Sequence, residues 1–179
     1  ESSLRKLKKP DAPKRPLLTE RNPGVIFDAM IHPFSGYTMR GAIWYQGEGN
    51  SHPGSVPYDQ TLPLLIQDWR NRWQDPFSFY YVQLANYYEP TTQPGAAHGW
   101  PLVQDGMRRV LSKIPKTGMA VINDVGDATD IHPKDKRTPG ERLARWALAK
   151  DYGREILFSS PLFKSSSTQG SEITITFEH

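Results

Sequence analysis

The sequence predicts an α/β fold built on a parallel sheet, and three observations carry that expectation. Short β-rich apolar runs recur along the chain, and each is followed by a segment whose apolar residues have helical spacing. Three such strand-then-helix units in succession need crossover connections, which set parallel strands side by side with helices packed against them. Polar clusters follow the first and third runs, at the carboxyl ends of the strands, where parallel sheets carry their reactive loops.

Residues 1–24 read as an exposed arm or linker. The first 22 residues hold seven Lys/Arg against three carboxylates, a net +4; the whole chain is +3, so the remainder is −1. Pro10, Pro13 and Pro16 interrupt any helix there. The arm has no aromatic for base stacking and the body shows no basic stripe, so no nucleic-acid partner is expected.

Gly41–Tyr45 (G-A-I-W-Y) is the first expected strand. Tyr58, Leu62, Leu65, Ile66, Trp69 and Trp73 then mark one face of a helix. Pro63 requires that helix either to start near Thr61 or to kink. Phe77–Ala85, after Asp75-Pro76, is the second strand. A loop with Pro90, Pro94 and Gly95 leads to a helix over Leu102–Ile114, and Met119–Asp124 is the third strand. Thr138-Pro139-Gly140-Glu141 has the pattern of a capping box with Thr138 as N-cap, opening a helix with Leu143, Trp146 and Ala147 on its apolar side. Residues 25–155 thus form the main domain. Residues 156–179 read as the start of a β region: a serine-rich stretch over 159–171, then Glu172–Phe177 alternating like an antiparallel strand with no partner evident.

Composition narrows the function. At 179 residues the chain has the length of about one domain, and 37% hydrophobic with 11% aromatic residues suits a packed core. Apolar runs are only a few residues long, so no membrane partner is expected, and no signal-peptide pattern opens the chain. The absence of cysteine excludes thiolate nucleophiles and Cys-based metal sites, and leaves the compartment open.

Two clusters could carry chemistry. In Trp44-Tyr45-Gln46-Gly47-Glu48-Gly49-Asn50, glycines let the backbone approach a ligand and amide side chains can donate to a developing oxyanion. The alternative is a polar turn whose amides bond their own backbone. In Asp124-Val125-Gly126-Asp127-Ala128-Thr129-Asp130-Ile131-His132-Pro133, a histidine beside carboxylates suits a general base whose tautomer an Asp fixes. The alternative is a surface histidine in a charged loop. His32, His52 and His98 are scattered and no H-E-x-x-H pair occurs, so neither a metal nor a cofactor is expected. No G-x-S-x-G elbow occurs, and Ser35 and Ser51 read as turn residues.

Four blocks together resemble the sialate O-acetylesterase family of the SGNH (GDSL-like) hydrolases. They are Asp28-Ala29-Met30-Ile31-His32-Pro33, Gly41 to Asn50, Asp68-Trp69-Arg70, and Asp130-Ile131-His132-Pro133-Lys134-Asp135-Lys136. The resemblance runs from about Pro23 to the last helix. It implies a three-layer α/β/α flavodoxin-like fold and removal of O-acetyl groups from sialic acid or related sugars by a serine-hydrolase route. It makes His132 the base, supported by Asp130 or Asp127 with Asp130 ranked first, because the superfamily's usual Asp position is Thr129 here. Gln46, Gly47 and Asn50 would line the oxyanion or substrate pocket, with Glu48 shaping the loop. Gly49 stands where the family's block usually has Ser. The family's nucleophile block lies upstream of the matched region, so the resemblance implies a fold incomplete at its N-terminal side. An acetylated carbohydrate and the missing N-terminal part of the same enzyme are the implied partners, in a secreted or periplasmic location. The competing expectation is a catalytically silent carbohydrate-binding or interaction module that holds sugar with Trp44, Tyr45 and Trp100.

Overall fold

The computed structural model describes residues 18–19, 21–93 and 99–178. Most of the basic arm, Glu20, Pro94, Gly95, His98 and His179 lie outside the described residues. The chain divides into two compact units, residues 1–35 and 36–179. In the first, a π turn over Phe27–Ile31 runs into a 3-10 turn over His32–Phe34.

The second unit holds a parallel sheet of three strands in the order β1 (Gly41–Trp44), β2 (Ser78–Val82), β3 (Thr117–Ala120). Helix α1 (Tyr58–Trp73) connects β1 to β2, α2 (Gly99–Lys113) connects β2 to β3, and α3 (Arg137–Lys150) follows β3. Every residue of β2 is buried, as expected of a central parallel strand covered on both faces. Its alternation sorts the core. Phe79 and Tyr81 join Leu62, Ile66, Met107 and Val110 from α1 and α2, whereas Tyr80 and Val82 meet Leu143 and Trp146 of α3. Helices on both faces of a parallel sheet make the expected three-layer α/β/α arrangement. Among the described residues no helix is long and apolar enough to cross a membrane.

Four local expectations change. Helix α1 starts at Tyr58, not Thr61, and runs through Pro63. The missing N–H of Pro63 would have served the Asp59 carbonyl, which instead accepts from Lys113 Nζ at 3.4 Å. Strand β3 stops at Ala120, whose carbonyl accepts the Gln83 N–H at 2.9 Å, and the next carbonyl, that of Val121, accepts from Arg142 Nη1 at 2.5 Å. Thr138 is not the N-cap of α3. The helix begins at Arg137, Asp135 accepts the Thr138 N–H at 2.9 Å, and Glu141 pairs with Arg137 at 2.6 Å. Finally, the serine-rich stretch supplies the partner that the last strand lacked. Strand β4 (Leu162–Gln169) pairs antiparallel with β5 (Glu172–Glu178), turning at Gly170, whose φ is +61°.

Candidate active site

Both sequence clusters lie at the carboxyl ends of strands, the first after β1 and the second after β3. The first is a folded loop. Gly47 has φ +151°, and a Cβ there would lie 2.8 Å from Met107 Cε, so a larger residue would be both strained and crowded. A 3-10 turn over Glu48–Ser51 follows. Glu48 Oε2 accepts the Gly47 N–H at 2.9 Å, and Gln46 Nε2 donates to Asn50 Oδ1 at 3.2 Å. Gln46, Gly47, Glu48 and Asn50 are thus brought together, and the Asn50 NH2 is not committed to that bond.

Tyr58 anchors this loop to α1. Its hydroxyl accepts from Trp44 Nε1 at 3.0 Å and donates to the Gln46 carbonyl at 2.8 Å. The residue is only 4% exposed, and burial first of all pushes its hydroxyl pKa up to about 12, so it stays a proton donor. Helical spacing revealed Tyr58 as a core residue and concealed its hold on the loop. The available signal was chemical, since a buried Tyr hydroxyl requires a partner.

In the second cluster, Asp130 Oδ1 accepts the backbone N–H of His132 at 2.9 Å and lies 3.9 Å from His132 Nδ1. The His132 side chain is 80% exposed. Asp127 organises the loop: its Oδ1 accepts from Thr129 N and Oγ1 at 2.8 and 2.9 Å and from Asp130 N at 3.3 Å. Those bonds, led by the Thr129 N–H, hold its carboxyl below the usual range. Asp124 does not approach His132. It forms a two-pronged pair with Arg142 at 2.6 Å per bond, whose hydrogen bonds lower its pKa to about 2.

The connection after β2 braces the His132 loop. Asn86 Oδ1 accepts the Gly126 N–H at 2.9 Å, and Tyr88 N–H donates to the Ala128 carbonyl at 3.1 Å. A Cβ on Gly126 would sit 2.1 Å from the Asn86 carbonyl oxygen, so only glycine permits this approach. On the other side, Lys136 Nζ stands 5.1 Å from the centre of the Tyr45 ring, joining the end of the His132 loop to the end of β1. Sequence reasoning gave no role to Asn86, Tyr88 or Arg142.

The serines keep turn roles. Ser51 Oγ donates to the Glu48 carbonyl at 2.7 Å, and the Ser35 N–H donates to the His32 carbonyl at 3.0 Å. Of the aromatics assigned to a sugar-holding module, Trp100 is a core residue and Trp44 is a partly buried side chain packed against the core. Trp100 is 3% exposed with its Nε1 bound to the Ala85 carbonyl, and Trp44 packs edge-on against Trp69. Among the described residues no three His, Asp or Glu side chains converge to hold a metal ion.

No family model matches the sequence. The chain is 34% identical over 158 residues to sialate O-acetylesterase of Mus musculus, covering 78% of this chain, and 33% identical over 156 residues to that of Homo sapiens, covering 77%. It spans 29% of the length of each of these relatives. The crystal structure of a carbohydrate acetylesterase from Xanthomonas citri superimposes with a TM-score of 0.78 at 36% identity, over 86% of this chain and 35% of that one. By sequence the chain belongs to the sialate O-acetylesterase family, and its fold is similar to that of a carbohydrate acetylesterase.

Proposed function

We propose that the protein containing this chain removes O-acetyl groups from sialic acid or related acetylated sugars, and that His132 is its general base. The observation that carries the reading is the placement of two polar loops at the same end of the sheet, one after β1 and one after β3, the two strands that flank β2. One presents an amide cluster and the other an exposed His132 beside Asp130. In the reaction a serine hydroxyl attacks the acetyl carbonyl while His132 takes its proton. The tetrahedral oxyanion accepts hydrogen bonds from the loop after β1, where the Asn50 NH2 is the suited donor and Gln46 orients it. Collapse breaks the bond to the sugar oxygen, which receives the proton from His132. Water then attacks the acetyl-enzyme by the same route and releases acetate. Asp130 supports the imidazolium through its charge.

The nucleophile in this reading comes from outside these 179 residues. Ser51 already serves its own turn, and none of the described serine hydroxyls is bonded to the His132 ring. The outer edge of β1, with Ile43 at 72% exposure in an otherwise covered sheet, suits a further strand of the same enzyme. The test compares the isolated chain with the full-length protein on p-nitrophenyl acetate and on an O-acetylated sialic acid. The full-length protein should turn over both and the chain neither. Turnover by the chain within about tenfold of the full-length protein would move the nucleophile to Ser51 or Ser35, since the base and oxyanion groups alone retain only a small part of a serine hydrolase's acceleration.

A further inference from the structure

A cavity of about 620 Å3 opens beside the loop after β1, a volume suited to a small molecule. Asn50, Ser51 and His52 line it from that loop, Tyr88 from the connection after β2, and Leu102 and Arg109 from α2. It therefore shares Asn50 with the amide cluster. Its lining also combines hydrogen-bonding groups with an aromatic side chain.

Tyr88 is the unusual member. It is one of the non-glycine residues at positive φ, at +74°, a conformation unfavourable for a bulky side chain. The structure holds it there from several directions. Its N–H donates to the Ala128 carbonyl at 3.1 Å, its ring centre lies 4.1 Å from that of Tyr87, and it meets Trp100 edge-on at 6.0 Å. Trp100 is fixed in turn by its Nε1 bond to the Ala85 carbonyl at 2.8 Å. Despite this support, Tyr88 remains 49% exposed and lines the cavity. A strained backbone with a braced and accessible ring is what a binding platform requires.

We propose that this cavity seats the sugar ring of the acetylated substrate, with Tyr88 as its stacking face and Asn50 at the end where the acetyl carbonyl reacts. The proposal rests on the esterase reading above and identifies the residue that would make it selective for sugars. One face of a pyranose is a patch of C–H groups, weakly positive, which packs against the negative face of an aromatic ring. Its hydroxyls face outward and can meet the polar wall formed by Ser51, His52 and Arg109. Arg109 is already ion-paired with Asp105 and Asp59, so it is a fixed wall of the cavity.

The test uses the full-length protein and two esters, an O-acetylated sialic acid and p-nitrophenyl acetate, which has no sugar. Tyr88→Gly deletes the ring at a backbone conformation that glycine adopts freely, and Tyr88→Phe keeps the ring and removes the hydroxyl. Should Tyr88→Gly fail to fold, Tyr88→Asn makes the same deletion with a residue that tolerates positive φ. The ratio of kcat/KM for the sugar ester to that for p-nitrophenyl acetate should fall at least about tenfold in Tyr88→Gly, mostly through KM, which corresponds to about 1.4 kcal/mol. It should stay near the unmodified value in Tyr88→Phe. An unchanged ratio in Tyr88→Gly, an equal loss on both esters, or a loss in Tyr88→Phe as large as in Tyr88→Gly would each overturn the platform. An unmodified protein that cleaves p-nitrophenyl acetate but no acetylated sugar would instead overturn the sugar-deacetylation reading itself.

Discussion

Asp130 binds the His132 backbone while its carboxylate lies 3.9 Å from the imidazole Nδ1. That gap is too long for a hydrogen bond, and short enough for a rotation of the exposed ring to close it. Asp127, by contrast, spends its acceptor oxygen on the Thr129 and Asp130 N–H groups. Asp130→Asn should therefore lower kcat by up to about 10⁴-fold in the full-length protein, the effect of a triad Asp→Asn change. Asp127→Asn should cost far less, because Asn can still accept the loop's N–H groups. Kinetics of the two variants decide the matter, and a reversed order transfers the supporting role to Asp127.

His132→Ala should lower kcat by at least ~10³-fold with KM little changed, since a base acts in the transition state and contributes little to ground-state binding. The ring is 80% exposed and packs no core, so folding should survive and circular dichroism should match the unmodified protein. Ordinary turnover in a folded His132→Ala protein would remove the residue from the mechanism.

What the sequence revealed and what it hid have separate physical causes. Strand β2 was legible because burial on both faces leaves a run of β-favouring residues, F-S-F-Y-Y-V, with Ser78 its one small polar member. The His132 loop was legible because Asp130 and His132 are neighbours in sequence, so their approach needs no long-range folding. Strand β4 was hidden because an exposed hairpin requires no apolar alternation, and its serines read as loop. The cap of α3 was misread because two adjacent patterns competed, and Asp135 outbid Thr138 by reaching the Thr138 N–H. The hold of Tyr58 on the Gln46 loop depends on where a hydroxyl points, and the φ of Tyr88 on a tertiary clamp. Neither leaves a mark in residue spacing.

Tyr58→Phe tests that hold. The change removes the partner of Trp44 Nε1 and the donor to the Gln46 carbonyl without altering ring packing. Leaving partly buried polar groups unpaired should cost about 1–3 kcal/mol, read from the urea midpoint. If the hydroxyl also positions the amide cluster, kcat on the full-length protein should fall while the fold remains. A variant as stable and as active as the original would show that the three-way bond is incidental.

Asn50→Ala should lower kcat on the order of 10²–10³-fold, the usual cost of losing one oxyanion donor. Gln46→Ala should cost less, because in the proposed reaction Gln46 orients Asn50, whose oxygen accepts from it at 3.2 Å, and does not itself meet the oxyanion. The comparison requires steady-state kinetics of both variants, and a larger loss for Gln46→Ala would make Gln46 the direct donor.

The Asp124–Arg142 pair gives a pH dependence whose sign is fixed. Hydrogen bonds from Arg142 hold the Asp124 carboxyl at about 2 in the folded protein, below the ordinary value near ~4 for an unfolded chain. A depressed folded-state pKa contributes stability that is fully present above the unfolded value and is lost as pH falls through the folded one. Asp124→Asn should therefore melt below the unmodified protein at neutral pH, and the gap should narrow below about pH 4 and close near pH 2. The pair is solvent-exposed at Asp124, so added salt should also narrow the gap at neutral pH. Arg142 additionally holds the Val121 carbonyl, so it fixes the point where the chain leaves β3 for the His132 loop. A melting gap independent of both pH and salt would assign the stabilisation to that backbone bond and to packing, with no contribution from the charge on Asp124.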